Sequence, residues 1–127
     1  IWRVEYEGDE GAPVLCINSK IPNIENIARH DSQFLIYVYP PVIREILTHM
    51  VFVEGVSAPD DPQVGWHRDW IRFSRGIEIS PPQTLDPEDE DFDKDEAIEW
   101  INNVVTAFAN NHRSRFQEYL NKLEVVP

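Results

Sequence analysis

The chain has 127 residues, enough for one domain with a core of its own. Its 42% hydrophobic and 27% charged residues exclude global disorder, and a single cysteine excludes a disulfide scaffold. A net charge of −12 argues against nucleic acid as a partner, and the longest apolar run, Phe34 to Tyr39, is far shorter than the roughly 18 residues of a membrane span.

Trp2, Val4 and Tyr6 alternate with Arg3, Glu5 and Glu7, the period of a half-buried strand. Gly8 to Pro13 is rich in turn residues, and Val14 to Ile17 supplies a β-branched run that can pair back, so a hairpin is expected. Asn23 can cap a short helix reaching about His30. The apolar run Phe34 to Tyr39 reads as strand or helix, with its aromatic and β-branched content tipping it to strand.

Pro40 and Pro41 suit the first turn of a helix, where a missing N–H removes no bond, and Val42, Ile43, Ile46, Leu47, Met50 and Val51 follow at helical spacing. Residues 55–65 read as a loop ending in Asp61 and Pro62, an N-cap and N1 pair for the next helix. On that helix Trp66, Trp70, Phe73 and Ile77 form one stripe and Arg68, Arg72 and Arg75 the opposite one, with Gly76 expected as the C-cap. From about Asp95 to Leu123, a stripe including Ile98, Ile101, Val104, Val105, Phe108, Phe116 and Leu120 predicts a long amphipathic helix that forms the spine of the fold.

The predicted fold is therefore α+β: an N-terminal β-hairpin or small antiparallel sheet packed against three to four helices, with a long C-terminal helix. One domain is expected over 1–127, with residues 80–94 as an acidic, proline-containing linker inside it. The start at Ile1 and the lack of a signal-like opening suggest a piece of a longer intracellular protein. The lone thiol, Cys16, fits a cytoplasmic setting.

Residues 86–99 hold nine acids against Lys94, so eight of the twelve net negative charges sit in that one segment. Acids before a helix complement its N-terminal dipole, which accounts for much of the run. The sharper alternative is a mimic of nucleic acid that inhibits a DNA-binding protein.

The common catalytic patterns are absent. The five glycines form no phosphate-binding loop, none of the six serines lies in a Gly-x-Ser-x-Gly elbow, and the four histidines lack zinc-ligand spacing. His67-Arg68-Asp69 copies the tripeptide of a kinase catalytic loop without its companion motifs. Asp89, Asp91 and Asp93 match the first calcium-loop positions, but Lys94 stands where the glycine is needed and Trp100 where the bidentate glutamate is needed. No cofactor and no metal are expected.

The sharpest positive feature is the stripe Arg68, Arg72 and Arg75, three planar cations suited to carboxylates, either of an acidic partner or of the chain's own segment 86–95. The expected function is a non-catalytic accessory or protein-interaction domain, working through a protein partner or through self-association as a homodimer. The alternative is an enzyme whose carboxylate and histidine site is assembled by the fold, with His67, Asp69 and Asp60 or Asp61 as its first candidates.

Overall fold

A computed structural model describes residues 2–17 and 38–125, with side chains through Asn111. The helix expected over 23–30, most of the run 34–39, and His112, Phe116 and Leu120 lie outside these described side chains.

Strand β1 (Trp2–Glu7) and strand β2 (Ala12–Ile17) pair antiparallel, with Trp2 opposite Ile17 and Glu7 opposite Ala12. Gly8 and Gly11 bracket the turn at φ 82° and 64°, and the Gly11 N–H closes it on the Gly8 carbonyl. Trp2, Val4 and Tyr6 turn toward the core, while Arg3 and Glu7 face outward. The expected alternation thus sets which face of the hairpin is buried.

Helix α1 (Tyr39–His49) carries its prolines in the first turn, where donors have no intrahelical acceptor. Tyr39 opens the helix and Val38 flanks it, which corrects the strand reading at the end of 34–39: Pro40 and Pro41, just beyond, belong in a helical first turn. The six residues predicted to face inward, Val42 through Val51, are all buried. The helix then loosens into a π-helical turn, Met50–Glu54, closed by the Gly55 N–H on the Met50 carbonyl at 2.8 Å. Gly55 has φ 81°, and a Cβ there would stand 2.8 Å from an Asp86 carboxylate oxygen, so only glycine fits. Directly after it, Val56 and Leu85 exchange both backbone hydrogen bonds in an isolated antiparallel bridge.

Helix α2 (Gly65–Gly76) departs from expectation at both ends. Asp61 and Pro62 do not start it: Val64 flanks it without a side-chain cap, and Glu10 of the hairpin turn accepts the Gly65 N–H at 2.9 Å. A carboxylate from 55 residues away therefore serves the positive end of the helix. The Glu10 backbone carbonyl also accepts the Trp66 indole N–H at 3.1 Å, which ties hairpin to helix twice. Glu10→Ala should lower unfolding free energy by about 1 kcal/mol, read from urea melts, whereas an unchanged midpoint would deny the cap.

At the other end Gly76 is still helical, and the left-handed residue is Glu78 at φ 65°. Glu78 N–H bonds the Arg75 carbonyl and Ile79 N–H the Ser74 carbonyl, the paired bonds of a Schellman close. The buried stripe of α2 is also rotated from the predicted one. His67, Ile71 and Ser74 join Trp66 inside, while Trp70, Phe73 and Ile77 are half-buried.

Helix α3 (Lys94–Val125) is capped by Asp93, whose carboxylate accepts the N–H groups of Asp95 and Glu96 at 2.9 and 3.2 Å. Its inward positions are Ala97, Trp100, Ile101, Val104 and Val105, with Phe108 packed at the edge of the cluster. Ile98, expected in that stripe, is 38% exposed because the true stripe runs through its neighbour Ala97. The fold is thus α+β, among the described residues a two-stranded hairpin against three helices, the last of them long.

Candidate functional site

Two features stand out on this frame: an aromatic groove walled in part by α2, and a carboxylate held between two histidines.

The groove encloses about 460 Å³ and is walled by β2 (Pro13, Leu15), α1 (Tyr39, Val42, Ile43, Ile46), α2 (Asp69, Trp70, Phe73) and α3 (Phe108). Its aromatic rings form a chain, Trp70 edge-on to Phe73 at 5.5 Å, Phe73 on Phe108 at 6.2 Å, and Phe108 edge-on to Tyr39 at 6.4 Å. Apart from Asp69 every lining residue is apolar or aromatic. Trp70 and Phe73, which share one predicted stripe, pack half-buried against the core and also line this opening.

Arg68, Arg72 and Arg75 are all exposed on the far side of α2. Arg75 pairs with Asp60 at 2.6 Å and Arg68 donates to the Pro62 carbonyl at 3.2 Å, so both are bound to the loop before their own helix. Arg72 has no ion pair or hydrogen bond among the described residues. None of the described ion pairs joins the stripe to residues 86–95. Those acids bond locally: Asp86 and Asp89 each accept the N–H two residues on, at 3.0 and 3.1 Å, and Asp93 caps α3. The segment 80–94 is more than a tether, because Thr84 and Leu85 within it are buried.

The second feature grows out of the π turn. A turn closed from residue i to i+5 aligns residues five apart, and here it brings Glu54 over His49. One Glu54 oxygen lies 2.9 Å from His49 Nε2 and the other 2.8 Å from His67 Nε2. An ionised carboxylate offers only acceptors, so both Nε2 atoms carry the proton. Trp66 packs edge-on to the His67 ring at 4.4 Å, and Tyr6 stacks on His49 at 3.6 Å with the rings 13° apart. This carboxylate and histidine cluster was expected around Asp60, Asp61 or Asp69. The structure gives His67 a different acid, Glu54, sends Asp60 to Arg75 and Asp69 to the groove, and leaves Asp61 near His67 in a small pocket. No sequence signal pointed to Glu54, since π turns have no composition of their own. Among the described residues no group of acids, histidines or cysteine is arranged to hold a metal ion.

The Tyr6 hydroxyl beside this cluster is buried without a hydrogen-bond partner among the described residues. Burial, and then the negative charges of Glu45 and Glu54, push its pKa up from about 10 to about 12. A folded-state pKa above the unfolded one means stability that is complete below pH 10 and declines as pH rises toward 12. Tyr6→Phe should therefore abolish part of the alkaline loss between those limits, and at neutral pH it should raise stability by about 1 kcal/mol by deleting an unsatisfied hydroxyl. Matched urea titrations at pH 7 and pH 11 check both, and a destabilised variant at pH 7 would show that the hydroxyl has a partner.

No family model, no curated protein and no solved structure matches the chain.

Proposed function

We propose that the chain is a non-catalytic protein-interaction domain of a larger intracellular protein, seating an apolar, acid-bearing segment of a protein partner in the groove between α1, α2 and α3. The observation that carries this reading is the groove itself: four aromatic rings and a wall of aliphatic side chains line about 460 Å³. Trp and other aromatic side chains in a pocket are the usual anchors of an interface.

The charge of the partner follows from the same helix. The far side of α2 carries three guanidiniums, of which Arg72 has no ion pair or hydrogen bond among the described residues, and their natural complement is a carboxylate. The free thiol of Cys16 supports a cytoplasmic setting.

Selection from a random peptide library displayed against the folded chain tests this. The peptides recovered should combine two or three apolar anchors with Asp or Glu, and their binding should weaken as salt screens the arginines. Recovery of no shared pattern would overturn the reading.

A further inference from the structure

We infer that the side chain received by the aromatic groove is a trimethylated lysine, its quaternary ammonium held between the aromatic wall and Asp69; this rests on the reading of the groove as the seat of a protein segment. Val42, Ile43 and Ile46 line the groove as buried residues, while Tyr39, Trp70, Phe73 and Phe108 are half-buried in its wall. At about 460 Å³ it falls within the range of small-ligand pockets.

Two features of the lining favour a cation. Aromatic rings attract positive charge through their quadrupoles, tryptophan most strongly, and four of them gather at this one opening, each within 6.4 Å of the next. The one charged residue in the lining is an acid, Asp69, and neither lysine nor arginine joins it. Its carboxylate is exposed and has no ion pair or hydrogen bond among the described residues, so it is available to a ligand. A wholly hydrocarbon anchor would fill the same space and leave both features unused.

The same lining argues against an unmodified ammonium. A lysine Nζ brings three donors, yet apart from Asp69 and the Tyr39 hydroxyl the lining side chains offer no hydrogen-bond acceptor. Those donors would give up water for too few partners. Arginine, with five donors, fits worse still. Trimethylation keeps the positive charge, removes every donor from the nitrogen and adds apolar surface, which matches a groove that is aromatic and aliphatic except for one carboxylate. The acids of the segment belong outside this groove, with the arginines on the far side of α2.

The test takes a library-selected peptide that binds the full chain and resynthesises it with one of three side chains at each apolar anchor in turn: trimethyllysine, lysine, or a neutral isostere with carbon in place of the charged nitrogen. Dissociation constants are measured at one ionic strength. At one position trimethyllysine should bind about tenfold more tightly than either the isostere or lysine. Asp69→Asn, at an exposed residue, should reduce that advantage severalfold and leave the affinity for the isostere unchanged, whereas a purely structural role for Asp69 would weaken both alike. An isostere that equals trimethyllysine at every position overturns the inference while the docking reading stands, because the parent peptide still binds. So does lysine binding as tightly as trimethyllysine, or an undiminished advantage in Asp69→Asn. If the library yields no binding peptide, the reading and the inference fall together.

Discussion

Trp100→Ala is expected to lower the free energy of unfolding by about 3 to 5 kcal/mol, the range for truncating a large buried aromatic residue. Trp100 is 3% exposed and lies in the buried stripe of α3. Its indole N–H donates to Ser74 Oγ at 3.0 Å, and the Ser74 hydroxyl in turn donates to the Ile79 carbonyl. One side chain thus anchors α3 to the fully buried serine that holds the close of α2. Two milder variants separate its contributions. Trp100→Phe keeps most of the apolar volume and removes the donor, with an expected loss of about 1 to 2 kcal/mol. A double-mutant cycle with Ser74→Ala should return a coupling of about 1 kcal/mol between the two positions. A loss below about 1 kcal/mol for Trp100→Ala would show that α3 is not packed against α2 in this way.

Leu85→Ala is expected to lower stability by about 2 to 5 kcal/mol, although the residue stands in an acidic, proline-containing stretch that reads as a linker. Leu85 is completely buried and exchanges backbone hydrogen bonds with Val56 at 3.1 and 2.8 Å. Glu88→Ala, three residues on and exposed, supplies the contrast, since surface changes away from such features stay within about 0.5 kcal/mol. If both variants unfold at the native urea midpoint, the segment is a tether and the bridge to Val56 carries no weight.

These two positions also show what the sequence could and could not convey. The inward face of helix α1 was readable because proline position and 3.6-residue spacing are local facts, and the hairpin was readable from alternation and its turn. Ile98 was misplaced because a stripe scored by hydrophobicity favours isoleucine over the small Ala97, while packing against a neighbouring helix favours the closer approach. The same bias overlooked Ser74, a polar residue buried because Trp100 and the Ile79 carbonyl satisfy it.

The misses at the ends of α2 have a different origin. Glu10 caps it from the hairpin turn, and such a partnership exists only after the chain has folded. Nothing near Gly65 announces it. Glu78 occupies the left-handed position that glycine favours, while Gly76 stands two residues too early. At the candidate site His67 was singled out, but its acid was sought among the aspartates close in sequence. Glu54 reaches it through a π turn and a tertiary approach across 13 residues. The arginine stripe was legible as a helical face, whereas the pairing of Arg75 with Asp60 was a matter of loop geometry.

The central claim is that the aromatic groove and the arginine face on the far side of α2 together receive a protein segment. Its most direct test is the dissociation constant of one library-selected peptide for the native chain, for Trp70→Ala and for Arg72→Glu, each confirmed folded by its urea midpoint. The account predicts that Trp70→Ala weakens binding about tenfold or more as an interface anchor, and that Arg72→Glu weakens it most at low salt. A peptide that binds all three proteins equally would contradict the claim.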